Sequence, residues 1–408
     1  MKNYLKVIIV LTLIIGCSKG KKQNFLLEGI WQGRLTVMDN QTLPFNFKLY
    51  KSTGNKLQMD IYNADEVITV DEIVLVGDSI NIKIPVFEGY IAGKATDSSI
   101  SGAFTIASLD RVVPFEASYG LSSRFSKKRQ SKVDVTGIWE TEFSPMTEDR
   151  YMGKGIFKLI DGEVTGTFRT TTGDYRFLQG IVDGDSLKIS AFDGAHAFLF
   201  TAKVTDSTMN GIFYSGNHFK EPFIAKRNEL FDLESPDSLT FLKKGYDKLA
   251  FSFPDVNGNM VSLGDTGFNN KVVLVQIMGT WCPNCLDETK FLVDYLDKNP
   301  NEDLKVIGLA FEYAKTEALA QKSIQRLVDR VKVNYPVLLA QFGSSDKVKA
   351  QEKLPMLNHV LSYPTTIFID KKGKVRKIHT GFNGPATGEK FVEFKKEFNS
   401  FLNQLLEE

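Results

Sequence analysis

The sequence predicts a multidomain protein in which two duplicated all-β domains are followed by an α/β domain. The chain has 408 residues, more than a single hydrophobic core usually serves. Similar blocks of sequence recur at a spacing of about 108 residues. From about residue 245 onward, short alternating segments give way to continuously apolar runs separated by amphipathic ones. These observations divide the chain into two β repeats and one α/β region.

Four blocks of sequence align the two β repeats in the same order. The matching blocks are GIWQGRL (29–35) with GIWETEF (137–143), GDSINIKI (77–84) with GDSLKISA (184–191), ATDSSISGAF (95–104) with VTDSTMNGIF (204–213), and VPFEA (113–117) with EPFIA (221–225). Apolar and polar residues that alternate between Gly, Asp and Ser turns are typical of antiparallel strands. About eight strands fit in each copy, enough for a small up-and-down barrel or a sandwich.

Each repeat opens with a Gly-x-Trp motif, at Gly29 and at Gly137. The motif resembles the first strand of lipocalin-like barrels, in which the tryptophan closes one end. The resemblance implies a lipocalin-like barrel or sandwich for each copy. An eight-stranded barrel either fills its interior with side chains or holds one small ligand. The filled interior is favoured, and ligand binding is the alternative.

The N-terminal segment is predicted to place the chain in the cell envelope. Residues 1–16 contain two lysines and an apolar run that is too short to span a bilayer but fits a signal peptide. A glycine before Cys17 resembles a bacterial lipobox, although Ile14 stands where Leu is more usual. The resemblance implies that lipid on Cys17 anchors the protein to a membrane, with 17–27 as a tether. The residue after Cys17 is not acidic, which favours the outer membrane, and a buried N-terminal strand or helix is the alternative.

The other domain boundaries follow from the repeats and from the change of period. We expect the first repeat at 28–120, a linker at 121–135, the second repeat at 136–228, a second linker at 229–244 and the α/β domain at 245–408. The first linker is basic, so a patch for anionic lipid headgroups is an alternative to a solvated linker. With 50 basic and 49 acidic side chains, the chain lacks the electrostatic footprint of a nucleic-acid-binding protein.

The α/β region alternates predicted strands with predicted helices. The expected strands are 271–278, 304–311, 335–340, 365–370 and 374–382, and the expected helices are 283–298, 316–332 and 388–406. Continuously apolar strands that alternate with helices indicate a buried parallel sheet with right-handed crossovers. A Lys-Lys-Gly turn joins the last two strands as an antiparallel hairpin.

Two of the three cysteines, Cys282 and Cys285, lie between a predicted strand and a predicted helix. A strand, then W-C-x-x-C, then a helix is the arrangement of the thioredoxin fold. The helix N-terminus stabilises a thiolate, which favours Cys282 as the nucleophile and Cys285 as the resolving thiol. A zinc site needs four ligands, and none of the four histidines are spaced for one. A structural disulfide across such a short loop would stabilise the fold little. The zinc site and the structural disulfide both stay as alternatives.

A second motif lies near the predicted fourth strand of this region. Tyr363-Pro364 stands immediately before that strand. In thioredoxin-fold proteins the matching proline is cis and packs against the dithiol, and the preceding residue pairs with an incoming peptide. A proline at the first residue of a strand also has a purely topological explanation.

Residues 245–408 resemble the TlpA/ResA-like branch of thiol-disulfide oxidoreductases. The supporting motifs are FSFPDVNGNMVSLGD, VVLVQIMGTWCPNC, the helix inserted around 316–331, and YPTTIFID. The resemblance implies a periplasm-facing, lipid-anchored enzyme that reduces disulfides of envelope proteins and is itself reduced by a membrane thiol-disulfide electron donor. It implies no cofactor beyond the redox-active Cys282–Cys285 disulfide, and no metal.

The same resemblance assigns roles to individual residues. Cys282, Cys285 and Pro364 are expected in the catalytic centre, and Trp281 and Tyr363 in substrate binding. Glu312 falls where the family has a buried glutamate that tunes the dithiol; a solvated carboxylate at the strand end is the alternative. Burial of Glu312 would raise its pKa and let it move the proton of the resolving thiol.

Several functions remain open from the sequence. Asn284 stands where the family usually has proline, so the direction of electron flow is undecided and an oxidase or isomerase is an alternative to a reductase. A second alternative is a ligand- or partner-binding β-barrel lipoprotein with an ancillary redox domain. A third is an antioxidant thiol peroxidase, although Thr280 lies two residues before Cys282, whereas the peroxiredoxin motif places its threonine three before.

Overall fold

The computed structural model describes residues 26–408 of the chain. The predicted signal peptide and the predicted lipidation site at Cys17 lie outside the described residues. Among the described helices, none is both long and apolar enough to cross a membrane.

The first β domain is an antiparallel sheet curled into a barrel-like shape. Its strands are β1 Gly29–Thr36, β2 Thr42–Lys51, β3 Leu57–Asn63, β4 Glu66–Val70, β5 Glu72–Val76, β6 Ser79–Lys83, β7 Tyr90–Ala95, β8 Ser99–Ile106 and β9 Arg111–Tyr119. Strands that are consecutive in sequence pair with each other, except for β4 and β5, which form the two edges of the sheet. The first strand, β1, also pairs with the last, β9. The result is an up-and-down sheet that is open between β4 and β5.

The second β domain repeats this plan and closes the ring. Its strands are β10 Gly137–Phe143, β11 Tyr151–Ile160, β12 Glu163–Thr170, β13 Gly173–Asp174, β14 Leu178–Asp183, β15 Ser186–Phe192, β16 Ala197–Val204, β17 Thr208–Ser215 and β18 Phe219–Arg227. β11 pairs with β12 and β10 pairs with β18, so eight strands form a closed up-and-down barrel. The short β13 pairs with β12 outside this ring.

The two barrels share side-chain contacts as well as strand order. In each copy the opening tryptophan is buried and its indole N–H donates to a carbonyl four residues earlier, at 2.9 Å for Trp31 and for Trp139. Thr96 bonds across its turn to Ser99 at 2.7 Å, and Thr205 bonds to Thr208 at 2.8 Å. Conserved contacts at equivalent positions indicate that the two domains are copies of one unit.

Aromatic side chains fill the interior of the second barrel. Alternating inward positions bring the rings of Phe143, Phe168, Phe200 and Phe223 within van der Waals contact, with centroid separations of 4.8 to 6.4 Å. Rings at these separations gain both burial and edge-to-face contacts. The packing favours a filled core over a ligand cavity in this barrel.

The C-terminal domain is a mixed five-stranded sheet covered by helices. Its elements are β19 Ser252–Pro254, β20 Met260–Ser262, β21 Val272–Met278, α1 Pro283–Lys298, β22 Leu304–Phe311, α2 Glu317–Val331, β23 Val337–Gln341, α3 Lys347–Lys353, β24 Thr365–Ile369, β25 Val375–Thr380 and α4 Glu389–Glu407. The sheet order is β23-β22-β21-β24-β25, parallel on one side of β21 and antiparallel on the other. Every residue of β21 is buried, because helices pack on both faces of this central strand.

The three domains pack against one another along the chain. Phe192 of the second barrel stacks on Phe45 of the first at a centroid distance of 4.4 Å. In the linker between the barrels, Arg124 is buried and donates to the backbone of Ser190 and Tyr62. The basic linker is therefore partly an interdomain contact, and not solvated throughout as expected from its composition.

The predicted order of two barrel-like β domains followed by an α/β domain is confirmed. Each β domain has nine strands, one more than expected, and the short helix α3 was not predicted.

Candidate active site

The cysteine pair lies where β21 ends and α1 begins. Cys282 is the N-cap residue of α1, and its sulfur accepts a hydrogen bond from the backbone N–H of Cys285 at 3.3 Å. Pro283 occupies the first helical turn, where a missing N–H costs nothing because those donors have no partner within the helix. The start of the helix thus directs two features at the Cys282 sulfur: the Cys285 N–H, which has no partner within the helix, and the partial positive charge of the helix N-terminus.

The loop before β24 lies against this sulfur. The Tyr363–Pro364 peptide bond is cis, and the Cys282 thiol donates to the carbonyl oxygen of Tyr363 at 3.4 Å. Only the protonated thiol can make that bond. Cys282 is 7% exposed and Cys285 is fully buried, and both are free thiols.

Cys285 lies in the interior behind Cys282. Burial raises the pKa of its thiol well above the ordinary range, and the hydrogen bond and charge of Cys282 raise it further. The charge of Glu288 acts in the same direction. Cys285 therefore needs a proton acceptor before it can act as a nucleophile.

A carboxyl group that the sequence interpretation did not place in the site lies one helical turn beyond Cys285. Glu288 is buried and accepts hydrogen bonds from Gln276 and Thr366, each at 2.8 Å. Burial raises the pKa of Glu288 to about 7, against the lowering effect of these two bonds. Gln276 also donates to the backbone carbonyl of Cys285 at 3.4 Å, so it joins the carboxyl group to the cysteine turn.

The helical period could have revealed Glu288. Cys285, Glu288 and Leu292 fall on one face at i, i+3 and i+7, and all three are buried. A glutamate on the apolar face of a helix indicates a paired or functional carboxyl group.

Glu312 is buried, against the alternative of a solvated carboxylate. It accepts hydrogen bonds from the backbone N–H and the hydroxyl of Thr280, both at 2.8 Å. Burial raises the pKa of Glu312 to about 7, and the bonds from Thr280 limit the rise. Its carboxyl oxygens bond to the loop before Cys282 and not to a cysteine, so any effect on the dithiol passes through Thr280.

Trp281 and Tyr363, the expected substrate-binding residues, flank Cys282. The Trp281 indole N–H donates to the carbonyl of Phe311 at 2.9 Å, and its ring lies 5.5 Å from the ring of Tyr363 and 5.6 Å from that of Tyr313. These contacts hold the tryptophan partly exposed beside the thiol.

A turn of the second barrel also contacts the cysteine motif, which the sequence did not reveal. Asn284, between the two cysteines, donates to the carbonyl of Asp174 at 3.2 Å. Arg176 forms a salt bridge with Asp287 of α1. Within residues 26–408, no group of three or more His, Cys, Asp or Glu side chains is placed to hold a metal ion.

Comparisons with known proteins agree with this geometry. Residues 245–378 match the AhpC/TSA family model. The thioredoxin-like protein YneN of Bacillus subtilis is 27% identical over 140 residues, which are 34% of this chain and 73% of the relative. The thiol-disulfide oxidoreductase ResA of Halalkalibacterium halodurans is 24% identical over 154 residues, which are 38% of this chain and 78% of the relative.

Two solved structures are also similar to this part of the chain. A thiol-disulfide oxidoreductase from Bacteroides fragilis aligns with a TM-score of 0.27 and 19% identity, covering 36% of this chain and 99% of that one. The thioredoxin domain of a thiol-disulfide oxidoreductase from Bacteroides vulgatus aligns with a TM-score of 0.27 and 22% identity, covering 38% and 99%. The C-terminal region of this chain therefore has a thioredoxin-like fold and is similar in sequence to thiol-disulfide oxidoreductases of the ResA type.

Proposed function

We propose that this protein reduces disulfide bonds of other proteins through a Cys282–Cys285 dithiol. The observation that carries the proposal is the position of the two thiols: one caps a helix and retains a small exposed fraction, and the other is fully buried one turn behind it. That geometry suits a nucleophile followed by a resolving thiol.

The reaction proceeds in two exchanges. The Cys282 thiolate attacks one sulfur of the substrate disulfide, so a mixed disulfide forms and the other substrate sulfur leaves as a thiolate that takes up a proton. Glu288 then accepts the proton of Cys285, whose thiolate attacks Cys282 and releases the second substrate thiol. The substrate gains two electrons, the pair becomes a disulfide, and a donor dithiol must reduce it again.

Reduction of substrates is the direction that the local contacts favour. Burial raises the pKa of Cys285, which means that its thiolate is destabilised in the reduced pair, and the Cys282 thiol is protonated where it donates to the Tyr363 carbonyl. Strongly oxidising dithiols are those whose reduced form is held as a thiolate. A pair whose buried thiolate is destabilised lacks this stabilisation of the reduced form, so it should give up electrons more readily than such an oxidant.

The place of action is part of the same proposal. The lipobox-like sequence at Cys17 supports a lipid anchor and a domain that faces the periplasm, with the outer membrane favoured. Its substrates there would be disulfide-bearing envelope proteins, and its electrons would come from a membrane thiol-disulfide donor.

The described contacts do not favour a thiol peroxidase. A peroxidatic site needs a hydroxyl group directed at the cysteine sulfur, and the Thr280 hydroxyl donates instead to Glu312 at 2.8 Å. The filled interior of the second barrel likewise gives no support to a ligand-binding function for that domain.

Single-turnover reduction of a short peptide closed by one disulfide tests the proposal. The pre-reduced full chain should release two peptide thiols, and Cys282→Ser should abolish the release because it removes the attacking sulfur. Cys285→Ser should stop after the first exchange and accumulate a mixed disulfide at Cys282, detectable as an adduct by mass spectrometry. Ser323→Ala, at a partly exposed position of α2, is the matched control and should behave as the wild type. Thiol release by Cys282→Ser would refute the proposal.

A further inference from the structure

The surroundings of the Cys282 sulfur limit how a disulfide can approach it. The sulfur lies against the Tyr363 carbonyl, and the Trp281 ring contacts the Tyr363 ring; Asn284 follows in the cysteine motif and Ser362 precedes Tyr363. A substrate that brings its disulfide to Cys282 must therefore pass over these residues. What covers them decides which substrates can react.

The turn Thr171–Arg176 of the second barrel, called here the barrel wall, covers one side of this surface. The Ser362 hydroxyl donates to the backbone carbonyl of Thr172 at 2.9 Å. The Asn284 amide donates to the carbonyl of Asp174 at 3.2 Å. The backbone carbonyls of the barrel wall thus occupy the Ser362 hydroxyl and the Asn284 amide, with which a docked polypeptide could otherwise form hydrogen bonds.

The barrel wall and the dithiol domain are in close contact at two glycines. A Cβ atom on Gly173 would lie 2.1 Å from the Asn284 amide nitrogen and 3.3 Å from the carbonyl oxygen of Phe382. A Cβ atom on Gly381 would lie 2.8 Å from the carbonyl carbon of Thr172. Only glycine fits at either position, so another chain segment has no room between the two surfaces.

Buried polar contacts hold the barrel wall in this place. Asp174 accepts from the backbone N–H of Gly384 at 2.7 Å, and Arg176 pairs with Asp287 of α1. Asp174 and Arg176 are both buried. Displacing the barrel wall would leave the buried charges of Asp174 and Arg176 without partners, which costs free energy unless new partners replace the old ones.

The residue before Cys282, Trp281, lies at a narrow cleft. A cleft of about 160 Å³ adjoins Trp281 and is lined by Phe87, Arg111, His196 and Tyr313 from all three domains. A cavity of about 150 Å³ holds a group the size of benzene. The cleft therefore accepts a side chain and not a strand of a folded protein.

We propose that the barrel wall is one side of the substrate site and restricts substrates to disulfides on small molecules or short flexible segments. A cystine on a compact protein surface would need the area that Thr172–Asp174 occupies. This inference rests on the proposed function, because it assumes that Cys282 is the attacking thiol.

Single-turnover rate constants for two probes test the inference on the full chain. The probes are insulin, whose disulfides belong to a folded protein, and a short flexible peptide closed by one disulfide. The quantity compared is the ratio of the insulin rate constant to the peptide rate constant. Gly173→Val should wedge the barrel wall away from Asn284 and raise this ratio about tenfold, which corresponds to about 1.4 kcal/mol, because it frees hydrogen-bonding groups for the substrate. Gly162→Val is the control, because Gly162 also has positive φ but lies in another turn of the same barrel.

Ser362→Ala provides a second variant should Gly173→Val fail to fold. It removes only the hydrogen bond to Thr172, and we expect a smaller rise in the same ratio, with Ser323→Ala as its control. A ratio in both variants equal to that of the wild type, or an equal rise in Gly162→Val, would overturn the inference. Failure of every variant and of the wild type to reduce the peptide would instead refute the proposed function.

Discussion

Glu288 combines three properties in one side chain: it is buried, its pKa lies near neutrality, and it is one helical turn from the resolving thiol. Thr366 and Gln276 fix its carboxyl oxygens, so its charge is held in place as it titrates. A carboxyl group of this kind can accept a proton at pH 7 and return it, which is what the second exchange requires.

Replacing Glu288 with Gln should change stability in a pH-dependent way. Burial raises the pKa from 4.5 to about 7, so the folded state binds a proton between these values that the unfolded state has released. Stability should therefore fall as pH rises from about 4.5 to about 7, by about 3 kcal/mol from this group. Glu288→Gln should lack this loss. In urea unfolding, the free energy of unfolding should therefore fall less between pH 5 and pH 8 in the variant than in the wild type.

The exposed Asp294 on the same helix supplies the control for that experiment. Asp294→Asn should leave the difference between pH 5 and pH 8 unchanged. The same Glu288→Gln variant should also slow resolution of the mixed disulfide. Identical pH dependence in Glu288→Gln and wild type would show that this carboxyl group is not protonated as described.

The cysteines themselves could be predicted because a short motif carries the chemistry. Cys282, Cys285 and Pro364 are recognisable from their neighbours in sequence, and the structure brings the three together. The barrel wall had no such signal, since it depends on how two separate domains pack. Nothing in the sequence distinguishes Gly173 from the other glycines, because its requirement for glycine comes from its contact with Asn284 of another domain.

At the level of elements, the strands and helices of the C-terminal domain follow the sequence closely. The central strand was expected at 271–278 and is found at Val272–Met278, because its apolar run is uninterrupted. The first helix starts at Pro283 as expected. Where the apolar pattern is strong, burial alone defines the element.

Elements with little buried surface were missed. The helix α3, Lys347–Lys353, has only Ala350 buried, so its sequence shows no apolar period. The two-residue strand β13 is held by its contacts with β12 and not by any pattern of its own. The repeats predicted which strands correspond, but they did not predict that the non-consecutive strands β12 and β14 pair, whereas the first sheet stays open between β4 and β5.

Across the whole molecule, one arginine joins the three domains. Arg176 of the second barrel pairs with Glu66 of the first at 2.6 Å, with Asp193 of its own barrel at 3.5 Å, and with Asp287 of α1. All four charged groups are buried or nearly so. No single domain contains this cluster, so sequence patterns within one domain could not reveal it.

Replacing Arg176 with Met should weaken the contact among the three domains. The substitution keeps most of the side-chain volume but leaves three carboxylates without their shared cation, so we expect a loss of about 3–5 kcal/mol. Calorimetry should show a lower transition temperature and separation of the barrel and thioredoxin-fold transitions. Arg129→Met removes a more exposed pair with Asp183 and should cost less than about 1 kcal/mol. Equal effects of the two variants would contradict the role given to Arg176.

The reduction potential of the Cys282–Cys285 couple tests the central claim most directly. The full chain would be equilibrated in dithiothreitol or glutathione buffers, and the fraction of oxidised pair measured by thiol labelling and mass spectrometry. A dithiol whose reduced form is not stabilised as a thiolate should have a potential near that of thioredoxin, roughly −270 mV, as a reductase requires. A potential near roughly −120 mV would identify an oxidant and contradict the account.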